Sequence, residues 1–202
     1  MKIQEKNLKA NPSKSLLLHT CCADCALKFI HAYRELVEEN SSRDSGIELP
    51  KKIILYFDNS NIHPRTEYLA RLEAVMKISD SEGLGLVVSD WSPKKWFKAI
   101  KYNSDNKNLR RCRLCWEFRL KRAYDYCKEE NFGFFSTTLL SSHYQCFNDI
   151  CEIGKRLGSK GFVTIDPRKA EVQTKGFYKQ NYCGCVYSLV KRYEGKFGTG
   201  NT

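Results

Sequence analysis

No apolar run in this 202-residue chain approaches the roughly 18 residues that a membrane-crossing helix needs. The N-terminal Met-Lys-Ile-Gln-Glu-Lys-Asn is polar, so neither a signal peptide nor an anchor is expected, and the protein is expected to be cytoplasmic with no membrane partner. Internal repeats and low-complexity tracts are also lacking, and one domain over residues 1–202 is expected, ordered from about 15 to 190 and frayed over 196–202. Acidic residues are outnumbered, 23 against 34 Lys and Arg, and the resulting charge of +11 attracts polyanions, among which nucleic acid is the commonest.

Cysteine is what the chain has in abundance. Seven of its ten form three tight groups: Cys21, Cys22 and Cys25, then Cys112 and Cys115, then Cys183 and Cys185. Thiolates are soft ligands suited to iron-sulfur clusters and zinc, and each short spacing lets neighbouring sulfurs reach one metal or cluster. Seven sulfurs exceed what one ion or one four-iron cluster takes, which points to a cluster with a second metal or a redox thiol beside it. A disulfide framework suits small secreted chains without a core, whereas this one has 42% hydrophobic residues. A zinc ribbon places its pairs some 15 to 20 residues apart, but here 86 residues separate Cys25 from Cys112 and 67 separate Cys115 from Cys183. A thioredoxin-like pair leaves the other groups idle. Cys127, Cys146 and Cys151 have apolar neighbours at helical spacing and are expected to be core residues.

Strand-like runs at 16–19, 52–57, 84–88, 134–138 and 161–165 alternate with helical patterns at 26–39, 65–81, 92–102, 112–130 and 141–157. This order predicts an α/β fold with a parallel five-stranded sheet, helices on both faces and a cysteine-bearing C-terminal extension. Ligands in such sheets bind beyond the carboxyl ends of the strands, where Cys21, Asp58, Asp90, Thr138 and Asp166 are expected. A helix starting near Cys112 would put Cys112 and Cys115 in its first turn, where the dipole favours thiolates. Basic residues crowd the same stretch: Lys94, Lys95, Lys98, Lys101, Lys107, Arg110, Arg111, Arg113, Arg119, Lys121 and Arg122, interleaved with Trp91, Trp96, Tyr102 and Trp116. That mixture suits phosphates held by cations and a base stacked on an aromatic ring.

Five ordered motifs carry a family resemblance. They are Leu17-Leu18-His19-Thr20-Cys21-Cys22-Ala23-Asp24-Cys25; Tyr56 to Pro64 with Glu67, Tyr68 and Arg71; Arg111 to Cys115 with Arg119 and Leu120; Ser136 to Leu140; and Gln180 to Ser188. Together they resemble the QueH-type epoxyqueuosine reductases. The resemblance implies reduction of the epoxide of epoxyqueuosine in tRNA to the alkene of queuosine, with an unidentified electron donor. It also implies a [4Fe-4S] cluster and a second, mononuclear iron, on a fold similar to the adenine-nucleotide hydrolase-like (HUP) group. All seven grouped cysteines fall in the family pattern, which does not say which four hold the cluster. Asp24 stands where the family more often has proline, leaving open whether Cys25, Asp24 or both reach the second metal. Tyr182, His63 and Tyr144 are the candidate proton donors.

Two rival functions fit less of the chain. An ATP-dependent tRNA-modifying enzyme needs a glycine-rich loop after its first strand, and the loop here contains no glycine. A zinc-stabilised RNA-binding module would be colourless, whereas an iron-sulfur protein is brown.

Overall fold

The computed structural model describes residues 4–6, 11–42, 48–101, 107–159, 161–174 and 176–197. Strands β1 (Gln4–Lys6), β2 (Ser15–His19), β3 (Lys52–Phe57), β4 (Gly85–Val88) and β5 (Phe134–Thr137) form one sheet in the order β1-β4-β3-β2-β5. Helices α1 (Ala23–Ser42), α2 (Arg65–Ser81), α3 (Pro93–Ile100), α4 (Lys107–Glu129), α5 (Phe147–Leu157) and α6 (Val186–Phe197) complete it. The four strands β2 to β5 are parallel, with Leu18 opposite Leu55 on one side and Ser136 on the other. Every residue of β2 is buried, as expected of a central strand covered on both faces.

Chain order and strand order together place the helices. The steps from β2 to β3 and from β3 to β4 run the same way across the sheet, so right-handed crossovers put α1 and α2 on one face. The return past β2 to β5 reverses direction and sends α4 to the opposite face, where it packs against β2, β5, α3 and α5. The switch point of the fold therefore lies between the carboxyl ends of β2 and β5, the place where such sheets bind ligands.

Four expectations need correction. The fifth parallel strand is not at 161–165: only Phe162 bridges to Phe135 there, and the Ser136 hydroxyl captures the Val163 carbonyl instead of leaving it to a ladder. The fifth strand is instead β1, antiparallel on β4 and too short to show a period. Helix α4 begins at Lys107, five residues before Cys112, so neither Cys112 nor Cys115 occupies its first turn. The near-helical spacing of Tyr68, Leu69, Leu72, Val75, Met76 and Ser79 predicts one inner face of α2, but Leu69 and Met76 are exposed while Arg71 is buried. Finally, Cys146 is exposed at the start of α5, whereas Cys127 and Cys151 are buried as expected.

The narrow contact between α5 and the chain after it sets a testable limit. A Cβ built on Gly154 would lie 2.2 Å from Cζ of Phe162, whose ring packs against Phe135. Gly154→Ala is therefore expected to destabilise the fold by about 1–3 kcal/mol through overpacking, read as a lowered midpoint in thermal unfolding.

Candidate metal centre

The loop after β2 carries the first thiols. Cys21 donates its backbone N–H to the Thr138 hydroxyl, and that hydroxyl reaches the Cys21 sulfur at 3.2 Å, so the cysteine turn is clamped across the switch point. The carbonyl of Cys22 accepts from Ala26 and opens α1, with Cys25 in the first turn of that helix. The helix end that favours thiolate is thus that of α1, not α4. The sulfurs of Cys21, Cys22 and Cys25 lie within 4.8 Å of one another, all three buried.

Within that trio the charge is unevenly shared. Hydrogen bonding from the Cys22 and Cys25 thiols holds Cys21 well below the ordinary thiol range, and the Arg119 guanidinium adds to the effect. The same pairing raises Cys22 and Cys25. Gln180 donates its amide to the Cys22 sulfur at 2.8 Å.

The other four cysteines meet on the wall of a cavity of about 180 Å³ that Asn61, Trp96 and Arg119 also line. Among the described residues no three of these sulfurs lie as close together as the first trio. Cys183 and Cys185 approach to 3.5 Å, and the Cys185 thiol draws Cys183 down to about 6. Burial pushes Cys112 up, and Cys115 up to about 11, even though the Trp96 indole N–H donates to the Cys115 sulfur at 3.2 Å.

Two buried arginines tie the groups together. Arg119 interacts electrostatically with Cys21, Cys115 and Cys183, and its guanidinium is held by the Asn59 side chain at 2.7 Å. Arg71 is 2% exposed; it donates to Glu67 at 2.7 Å and to the backbone carbonyls of Tyr182 and Cys183, and it lies in the field of Cys22 and Cys21. Gly184 has φ +106°, and a Cβ there would come within 3.0 Å of the Arg71 guanidinium, so glycine lets the Cys-Gly-Cys turn close on it. The His63 N–H completes the join by donating to the Gly184 carbonyl.

Several other expected site residues have prior commitments. Asp24 is paired with Lys28 and Lys179, at 3.7 and 3.9 Å. The Tyr182 hydroxyl donates to the His63 carbonyl, and burial raises its pKa. The His63 ring sits among Trp91, Trp96 and Phe97. Tyr144 is 40% exposed and lines the cavity. His19 is fully buried between Thr137 and the Asp58 carbonyl; burial, then Arg119, lowers it to about 3, so it is a neutral structural group. Asp58 is held through Oδ2 by Arg122 and Tyr56.

The basic stretch is also divided by its partners. Arg113 pairs with Asp149 and Glu152, Arg122 with Asp58, and Arg119 is 3% exposed, which corrects their expected role in holding phosphates. Trp96 and Trp116 are buried too, not open stacking platforms. Lys94, Lys95, Lys98 and Lys101 are exposed on and just after α3. Tyr102 and the side chains of Lys107 and Arg110 lie outside the described residues. The parts played by Arg71, Gln180 and the Trp96 indole were not legible from spacing; only the Glu67–Arg71 pair, four apart on a helix, left a trace.

No helix among the described residues is long and apolar enough to cross a membrane. A family model described as "Epoxyqueuosine reductase QueH" matches residues 16–191. The chain is 32% identical over 190 residues to the epoxyqueuosine reductase QueH of Histophilus somni, covering 86% of this chain and 72% of that protein. It is 31% identical to that of Haemophilus influenzae, covering 98% and 81%, and 31% identical to that of Thermotoga maritima, covering 89% and 93%. With a buried cysteine trio at the switch point, four more cysteines around one cavity and a match spanning nearly all of the fold, the chain belongs to the QueH family of epoxyqueuosine reductases, which are oxidoreductases.

Proposed function

We propose that this protein reduces epoxyqueuosine in tRNA to queuosine in the cytoplasm, removing the epoxide oxygen as water with two electrons and two protons. The observation that carries the proposal is the presence of two distinct thiol groups at the carboxyl edge of the sheet, a buried trio at the switch point and four thiols bordering a cavity. A tetrahedral ion with metal-sulfur bonds of about 2.3 Å holds its sulfurs slightly under about 4 Å apart, which suits the compact trio. Cys21, Cys22 and Cys25 would therefore hold the second iron, with a ligand position left over, and Cys112, Cys115, Cys183 and Cys185 would hold the [4Fe-4S] cluster. When bound, the cluster supplies single electrons from an external donor and the iron supplies a Lewis acid.

The chain's own residues do the rest. Arg119 stabilises negative charge at both groups, while Trp96 and Gln180 donate to one sulfur in each. Hydrogen bonds of this kind around a metal set its potential. Of the three candidate proton donors, Tyr144 is the one that lines the cavity, and Tyr182 and His63 act by holding the Cys-Gly-Cys turn.

Metal and sulfide analysis of protein purified without oxygen, followed by assay of epoxyqueuosine-containing tRNA, tests this directly. A colourless zinc protein that leaves the tRNA unchanged would favour the RNA-binding module. Docking has its own test, because phosphate contacts release counterions. Replacing Lys94, Lys95 and Lys98 with alanine is expected to flatten the dependence of log affinity on log salt by about 2. Arg113→Ala, whose charge is already paired, should change that slope little. Affinity independent of salt would remove this surface from consideration.

A further inference from the structure

Single exposed hydrophobic side chains are ordinary, but grouped ones rimmed by polar residues mark places where something binds. One such group stands outside the cavity of the four thiols. Phe97 on α3 is 39% exposed and Tyr187 on α6 is 37% exposed. Both rest on the buried Trp96 ring, at 4.8 and 6.4 Å between centroids, so one short stretch of a ligand can cover both.

The two rings are held in place and surrounded by positive charge. Phe97 also packs against the His63 ring at 5.2 Å, and the Arg111 guanidinium lies 3.8 Å from the centre of the Tyr187 ring. On the outer face of α3, exposed Lys94, Lys98 and Lys101 flank Phe97 at helical spacing, and exposed Lys191 follows Tyr187 by one turn of α6. Across both helices Glu194 is the single acidic residue, against Lys94, Lys95, Lys98, Lys191, Arg192 and Lys196. A protein partner matches this surface poorly, because lysine is depleted where proteins meet proteins. Unpaired nucleic acid matches it well: cations take the phosphates and rings take the faces of the bases. In a duplex those faces are already covered.

We infer that Phe97 and Tyr187 are stacking platforms for unpaired bases of an RNA loop, with Lys98 and Lys191 beside them taking the phosphates between. This rests on the reading that the RNA is the tRNA carrying epoxyqueuosine, whose modified base is reached only when it is out of a duplex stack. The cavity stays with its thiols, and the loop lies across the surface outside it. Trp96 and Trp116, the platforms expected from the sequence, are buried, and their part passes to these two rings.

The test is anaerobic binding of epoxyqueuosine-bearing tRNA to wild type, Phe97→Ala, Tyr187→Ala and Tyr187→Phe across a salt series, with iron content and visible absorbance recorded for each. Losing one stacked base is expected to weaken binding by about 5-fold or more. Stacking releases no counterions, so the plot of log affinity against log salt should shift down in parallel, unlike the flattened slope expected of the lysine variants. Tyr187→Phe keeps the ring and is expected to bind as wild type does. A fully paired RNA duplex, which offers no open base, should bind all four proteins equally. The inference is overturned if wild type does not bind this tRNA, if either iron-retaining alanine variant binds it as wild type does, or if the variants lose the duplex as much as the tRNA. It is equally overturned if sedimentation shows that they dissociate a dimer of this chain while tRNA affinity is unchanged. If Tyr187→Ala sheds its iron, Phe97→Ala decides alone. Wild-type protein that binds the tRNA but leaves its epoxide intact overturns the functional reading instead, and the binding comparison still decides the stacking.

Discussion

Protein carrying Cys183→Ala is expected to lose most of its iron and sulfide when purified without oxygen, while Cys127→Ala keeps both. Cys183 lies on the cavity wall, lowered to about 6 by its neighbour Cys185, and its backbone is held by Arg71. A four-iron cluster with one ligand removed loses an iron or falls apart, so the visible absorbance should drop several-fold in a protein that still unfolds cooperatively. Cys127 stands elsewhere in the core: it is 4% exposed, its thiol donates to the Phe132 carbonyl at 3.4 Å, and burial raises it to about 11. Removing its sulfur should cost about 1–2 kcal/mol of stability and no metal. A folded Cys127→Ala protein without iron would show that Cys127 is more than a core residue.

The closeness of Cys21, Cys22 and Cys25 was legible in the sequence because short spacings act locally. A C-x-x-C or C-x-C spacing brings two sulfurs together whatever surrounds it, and the alternation of strands and helices was enough to carry Cys21 and Thr138 to one sheet edge. Partnerships between distant side chains left no such trace. Arg113 looks the same in sequence as Lys94, yet it is taken up by Asp149 and Glu152 from α5 while Lys94 stays exposed. Element ends were obscured for a related reason. Residues 107–111, Lys-Asn-Leu-Arg-Arg, have little apolar periodicity to announce a helix, and the run Gly161 to Ile165 has strand-like composition but loses its ladder to one serine hydroxyl. Helix α6 went unread because its Tyr187, Val190 and Tyr193 remain exposed and do not mark an inner face.

The other large effect is expected at Arg71, a residue that holds no metal. Its guanidinium is buried between α2 and the C-terminal turn, joined to Glu67 and to the carbonyls of Tyr182 and Cys183, with the Tyr182 ring 5.4 Å away. Arg71→Ala would leave Glu67, only 10% exposed, without its cation, and two carbonyls without donors. Breaking a buried pair from one side costs about 3–5 kcal/mol, which in a chain of this size corresponds to a fall of roughly 10 °C in the unfolding midpoint. The same change frees the turn that carries Cys183 and Cys185, so iron content should fall below that of the Gly154→Ala control when each protein is held equally far below its own unfolding midpoint. Arg71→Lys restores the charge but not the fork that spans a carboxylate and two carbonyls, and it is expected to recover stability more than iron. If Arg71→Ala bound iron as fully as the Gly154→Ala control, the C-terminal turn would be held to the sheet by something other than this guanidinium.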